Sequence, residues 1–129
     1  MVELDIQALL LRLARETDFG SLEGYLDCFE EDATVEIEGR PARIGREALS
    51  TGAIEGRAAG VVGPDSKRYH MVIPGEVNAQ GEQATCESRF LFLGTSGDQP
   101  AIVSMGRYHD EMRHGADGWK LTARVIEFG

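Results

Sequence analysis

From Lys67 onward the chain reads as four long runs of strand-like residues, Lys67–Asn78, Gln83–Leu93, Ala101–Arg113 and Trp119–Phe128, parted only by turn chemistry. The breaks are Asn78-Ala79-Gln80-Gly81, Thr95-Ser96-Gly97-Asp98 and His114-Gly115-Ala116-Asp117-Gly118. These supply the Gly, Asn and Asp that tight hairpins require. Successive strands joined this way pair antiparallel, so half of the chain is committed to a meander. Runs of about ten residues exceed the average strand, and a small sheet built from them must twist and curl. Curling leaves a hollow face that the rest of the chain has to cover.

The first sixty residues supply the cover. Ile6, Leu9, Leu10 and Leu13 recur at the spacing of one helix face, with Asp5 placed as an N-cap, which predicts a helix over Asp5–Glu16. Ser21 caps a second helix whose stripe is Leu22, Tyr25, Leu26 and Phe29, and Asp18-Phe19-Gly20 makes the corner between the two. Thr34–Glu38 alternates as a short edge or half-buried strand, and Arg43-Ile44 returns beside it. A third helix is expected over Arg46–Ala59, weakened by Gly52 and Gly56 and with a sparse apolar face. Gly60–Ser66, containing Gly63-Pro64-Asp65, is the most loop-like stretch and a candidate lid. The order gives an α+β class, helices laid on one face of a mostly antiparallel sheet, as a single domain over residues 1–129.

Charge and composition exclude several functions. A net charge of −9 with no Lys/Arg cluster argues against nucleic acid, since affinity for a phosphate backbone depends on clustered cations. The longest apolar run near the N-terminus, Ala8–Leu11, is far short of a membrane span and lacks signal-peptide architecture, so a cytoplasmic location is the default. Cys28 and Cys86 have no metal-ligand spacing and read as reduced core thiols. No phosphate loop, dinucleotide glycine fingerprint or metal triad is present, and no cofactor is expected.

Several local features occur in order along the chain. They are Asp18 at the helix corner, Tyr25-Leu26-Asp27-Cys28-Phe29-Glu30-Glu31-Asp32-Ala33 leading into a strand, Arg68-Tyr69-His70 opening another, Gly106-Arg107-Tyr108-His109-Asp110-Glu111, and Asp117-Gly118-Trp119-Lys120 with Arg124 in the last strand. The set resembles the SnoaL-like group of the nuclear-transport-factor-2-like (NTF2-like) superfamily. That resemblance implies a cone-shaped roll, with a strongly curved sheet wrapped around helices, a pocket at its wide end and frequently a homodimer through the outer sheet face. The superfamily includes polyketide cyclases, scytalone dehydratase, hexachlorocyclohexane dehydrochlorinase, bile-acid dehydratase and ketosteroid isomerase, beside members without known catalysis. Fold alone does not choose among them.

The dehydratase and dehydrochlorinase branches pair an Asp near the end of the first helix with a His opening a strand, and Asp18 and His70 match those positions. A neutral imidazole accepts a proton while a buried carboxylate sets its tautomer and stabilises the imidazolium. The same residues have plainer readings, Asp18 as a helix cap or Asx-turn and His70 as a core histidine. Alternation puts Arg68, His70 and Val72 on one face and Tyr69, Met71 and Ile73 on the other, which brings Arg68 to the pocket or leaves it a rim charge. Tyr25 is either a hydroxyl donor to substrate or a core residue. Arg124, a charge among apolar strand residues, needs a partner, either a substrate oxygen or one of the many carboxylates. Arg107, His109 and Glu111 share a face and are expected to form an outer charged ladder, with surface or dimer-interface roles. Thr17 stands where scytalone dehydratase has a water-activating tyrosine, which departs from that reaction, and the residues of a ketosteroid-isomerase site cannot be placed.

Three functions follow as expectations. The first is a cofactor-independent lyase or isomerase, dehydratase- or cyclase-like, acting on a small hydrophobic substrate with His70 as base and Asp18 as its partner. The second is a non-catalytic domain that binds a hydrophobic metabolite. The third is a dimerising structural domain with a collapsed pocket.

Overall fold

The computed structural model describes residues 1–129. In chain order the elements are α1 (Val2–Asp18), α2 (Leu22–Asp27), β1 (Phe29–Ile37), β2 (Arg43–Ile44), α3 (Arg46–Ala58), β3 (Tyr69–Gln80), β4 (Gln83–Ser96), β5 (Gln99–Gly115) and β6 (Gly118–Phe128). The strands form one sheet in the order β2-β1-β6-β5-β4-β3. All neighbours are antiparallel except β1 and β6, which run parallel. The class is the expected α+β, with the helices on one face. No helix is long and apolar enough to cross a membrane.

Local chemistry explains the boundaries. Helix α1 starts three residues before the predicted Asp5, because Met1 provides the carbonyl that Asp5 N–H reaches at 3.1 Å. Asp5 therefore lies in the first turn, where its carboxylate faces the positive end of the helix dipole, and is not the cap. Ser21 does cap α2, its Oγ accepting from Gly24 N–H at 3.0 Å. That helix stops at Asp27, and Phe29, expected on its stripe, opens β1 instead. Leu121 N–H binds the Cys28 carbonyl at 2.9 Å and draws the chain into the sheet. The Phe29 ring is buried all the same, 5.3 Å from Tyr25 and edge-on to it. Strands β3 to β6 meet in two-residue turns, Gly81-Glu82, Gly97-Asp98 and Ala116-Asp117, so the ladder extends into stretches read from sequence as longer loops.

The covered sheet face is organised in transverse rows set by register: His70–Phe92–Ser104, Phe90–Gly106–Phe128, Ser88–Tyr108–Ile126 and Cys86–Asp110–Arg124. Bulges in β3, β5 and β6 interrupt the ladders between β3 and β4, β4 and β5, and β5 and β6, and each bends its strand and increases the twist. Gly106 permits a close crossing, since a Cβ there would overlap the backbone of Glu127 in β6.

Two apolar clusters result. The larger joins Ile6, Leu10 and Leu13 of α1 to Phe29, Leu49, Met112 and Leu121, and fills one end of the roll. Truncating a fully buried leucine such as Leu13 to Ala costs about 2–5 kcal/mol at sites of this kind. The smaller cluster, Phe90, Phe92 and Tyr108, lines the other end, where helical cover is thin and a cavity remains. Helix α3 buries only Leu49, in keeping with its sparse apolar face. Cys28 and Cys86 are free and buried, and burial pushes both thiols above their ordinary range.

Candidate active site

A cavity of about 480 Å³ lies between the covered sheet face and the helices, walled by Phe90, Phe92, Val62, Ile126 and Phe128. An inner chamber of about 110 Å³ continues beneath it, and Thr17, Tyr25, Ile37, Arg43, His70, Tyr108 and Ile126 line both. Val61 and Val62 of the segment expected as a lid reach the cavity wall.

Asp18 is the last residue of α1 and 1% exposed. Both of its carboxylate oxygens serve one residue. Oδ2 accepts from His70 backbone N–H at 2.6 Å and Oδ1 lies 2.7 Å from His70 Nδ1. The backbone contact fixes where β3 begins relative to the end of α1, and the ring contact fixes the imidazole. An ionised carboxylate can only accept, so Nδ1 carries the proton and the lone pair of a neutral ring resides on Nε2. His70 stacks on Phe92, with centroids 4.3 Å apart and planes at 22°, and its ring borders both chambers. The cap reading of Asp18 does not describe this arrangement, because Ser21 caps α2 and Asp18 faces the sheet.

The other predicted residues distribute around this pair. Tyr25 lines both chambers, and its hydroxyl has no hydrogen-bond partner in the protein. Burial raises its phenol, against the pull of Arg124 and Arg43. Arg68 reaches the cavity mouth, its guanidinium 5.9 Å from the Phe92 centroid and a weak 3.4 Å from the Val61 carbonyl. Arg124 is held by a carboxylate: Nε donates to Asp110 Oδ1 at 2.7 Å and Nη2 to Oδ2 at 2.9 Å, and its Cζ lies 3.7 Å from the Tyr108 centroid. Burial disfavours the Arg124 charge, but Asp110 outweighs it and holds the guanidinium above its ordinary value. Arg124 borders only the inner chamber, as a structural ion pair beneath the site. Thr17 turns its hydroxyl to the Leu13 carbonyl at 2.7 Å.

Arg107, His109 and Glu111 lie on the opposite sheet face, where Arg107 pairs with Glu127 at 3.3 Å and His109 with Glu87 at 2.9 Å. A polar groove of about 800 Å³ crosses that face, without the buried dyad or the aromatic walls.

The sequence singles out Tyr108 only as part of the Gly106–Glu111 stretch and assigns it no role in the site. It borders both chambers with no partner for its hydroxyl, and burial pushes its phenol up to about 12. Alternation carried the signal, since putting Arg107, His109 and Glu111 outside puts Tyr108 and Asp110 inside. His70 and the two tyrosines thus border one largely apolar cavity, a proton acceptor and two neutral donors. No group of three or more His, Cys, Asp or Glu side chains is gathered as for a metal ion.

Comparison with known proteins agrees with this architecture. Residues 2–125 match the family model described as SnoaL-like domain. No curated protein matches the chain. An NTF2-like protein with a cystatin-like fold from Novosphingobium aromaticivorans is similar over 98% of this chain and 80% of its own, at 18% identity and a TM-score of 0.83. A protein of unknown function from Mycobacterium tuberculosis is 24% identical, covering 99% of this chain and 72% of its own, with a TM-score of 0.82. A Catenulispora acidiphila protein in complex with S-DNPA is 22% identical, covering 98% and 92%, with a TM-score of 0.79. These likenesses concern the fold, and the family match decides membership: the chain belongs to the SnoaL-like family, built on the NTF2-like, cystatin-like fold.

Proposed function

We propose that the protein is a cofactor-independent lyase or isomerase, dehydratase- or cyclase-like, that removes a proton from a small and largely apolar substrate. His70 is the general base and Asp18 its orienting partner. The observation that carries this reading is the 2.7 Å contact between Asp18 Oδ1 and His70 Nδ1, on a ring whose other nitrogen has no partner in the protein. In the reaction a C–H bond beside a substrate carbonyl breaks, its proton passes to Nε2, and its electron pair forms an enolate. Tyr25 and Tyr108 donate to the oxygen where charge gathers, and with raised phenols both remain neutral donors near neutral pH. The imidazolium, balanced by Asp18, then returns the proton to a departing β-hydroxyl in an elimination or to another carbon in an isomerisation. The similar Catenulispora acidiphila protein is in complex with S-DNPA, which supports a ligand-binding role for a chain of this fold.

The test is a panel of β-hydroxy ketones and β,γ-unsaturated ketones turned over by wild type, His70→Ala and Asp18→Ala. General-base removal lowers kcat by roughly 10²–10⁴. Full turnover by both variants on a substrate accepted by wild type overturns the assignment. Binding without turnover by wild type moves the reading to a metabolite-binding domain.

A further inference from the structure

The protein carries a net charge of −9, yet the cavity is lined by Arg40, Arg43, Arg57 and Arg68 and by no Asp or Glu. These arginines are not equivalent. Arg57 is committed to the end of α1, donating to the carbonyls of Gly20 and Glu16, each at 2.9 Å. Arg40 is exposed at the mouth, and Arg68 lies over Phe92. Arg43 is different: it is half-buried, its guanidinium makes no hydrogen bond or ion pair within the protein, and it lines both chambers beside Tyr25, Tyr108 and His70.

Its position is built into α3. Gly52 lies inside that helix, where glycine is unfavourable. A Cβ at Gly52 would stand 2.5 Å from Arg43 Cζ and 2.6 Å from Nη1, so the missing side chain is the seat of the guanidinium. A cation brought partly out of water without a counter-charge is costly, and the cost is offset when an anion enters beside it. A guanidinium presents a planar fork that matches a carboxylate with two parallel hydrogen bonds. The other walls are aromatic and aliphatic.

We propose that Arg43, seated on Gly52, is an anion-recognising subsite, and that the ligand is an organic carboxylate with an apolar, aromatic-sized body. This deepens the reading of the cavity as a substrate site but does not depend on His70 acting as a base. The carboxylate lies toward α3, and the apolar body extends along Phe90 and Phe92 past His70 Nε2.

Calorimetric titration of wild type with benzoate, 2-naphthoate and biphenyl-4-carboxylate, each against its neutral amide, tests the proposal. Wild type is expected to bind at least one acid ten-fold or more tighter than its amide, and inorganic phosphate more weakly than that acid. Arg43→Gln abolishes the preference and leaves amide binding unchanged, and Arg43→Lys restores part of it. Gly52→Ala moves the guanidinium while improving the helix, so it raises Tm and weakens acid binding together, an outcome misfolding does not produce. Arg107→Gln on the outer face changes neither. Equal affinity for acids and amides, phosphate binding as tight as the best acid, retention of the preference in Arg43→Gln, or no binding of any of the acids overturns the proposal. An acid preference with no effect of His70→Ala on turnover overturns the catalytic reading alone.

Discussion

Replacing Asp18 by Asn tests the dyad with almost no change of shape. The wild-type carboxylate offers two acceptors to two donors, His70 backbone N–H at 2.6 Å and Nδ1 at 2.7 Å. An amide offers one acceptor and one NH₂ group. The backbone N–H can only donate and is bound to take the amide oxygen, so the NH₂ group faces the ring. Nδ1 must then accept, the proton moves to Nε2, and the lone pair leaves the cavity. The same inversion in serine proteases lowers kcat about 10⁴-fold, and a loss of about 10³–10⁴, or roughly 4–5.5 kcal/mol of transition-state stabilisation, is expected here. KM should move little, because the substitution does not reach the cavity walls. The tautomer is visible without a substrate, by long-range ¹H–¹⁵N NMR of the His70 ring. Wild type should show a protonated Nδ1 and a pyridine-like Nε2, and Asp18→Asn the reverse. A protonated Nε2 in the neutral wild-type ring, or an unchanged tautomer in the variant, would refute the reasoning.

Tyr108 gives an alkaline signature: an unfolded phenol ionises near 10 and the folded one near 12, so the unfolded state holds fewer protons between these values and stability falls as pH rises through that window. The loss is about 2–3 kcal/mol at most, and Tyr108→Phe should flatten it in urea titrations at successive pH values; an unchanged slope in that variant refutes the assignment. Arg124→Met leaves Asp110 buried without its counter-ion and should cost about 3–5 kcal/mol in denaturant unfolding, most of it recovered in Asp110→Leu/Arg124→Met. A single variant as stable as wild type would show that the pair contributes nothing. The outer face exposes Tyr69, Met71, Ile73 and Met105 side by side, so a homodimer through it predicts dimer mass in sedimentation for wild type and monomer mass for Ile73→Glu. A monomeric wild type removes that expectation.

The meander was legible because each hairpin carries its own turn residues, with positive φ at Gly81, Gly97 and Gly118. Strand ends were not, since two-residue turns let the ladder run into what composition marks as loop. The parallel pairing of β1 with β6 left no local trace: alternation in Thr34–Glu38 reports a half-buried strand, not a partner some ninety residues later. Phe29 misled for a related reason, since four residues beyond Tyr25 it satisfies the helical stripe, while its fate was decided by the distant carbonyl and amide of β6. Arg124 announced its need for a partner, and the choice among 22 acidic residues required the β5–β6 register that sets Asp110 opposite. Asp18 and His70 were reached through family resemblance. Arg43 gave no signal at all, because its place depends on a glycine one element away.

Among the three histidines and the buried Asp110–Arg124 ion pair, partner geometry separates structure from chemistry. The Asp110–Arg124 pair is closed on itself: two guanidinium nitrogens occupy both carboxylate oxygens, so the pair serves structure. His109 has a carboxylate beside each nitrogen, Glu87 at 2.9 Å and Glu127 at 2.8 Å, the second too oblique for a hydrogen bond, and so presents no free face to a ligand. His114 packs edge-on against Trp119 at 5.3 Å, at the exposed end of a hairpin. His70 alone has one nitrogen held by a buried carboxylate and its ring on the boundary of a largely apolar cavity. That boundary lies where the filled end of the roll gives way to the open one, so water is thinned around the ring while a substrate can still reach it. A base is useful only where those conditions coincide, since a fully packed imidazole meets no substrate and an exposed one has its charge and its orientation set by solvent.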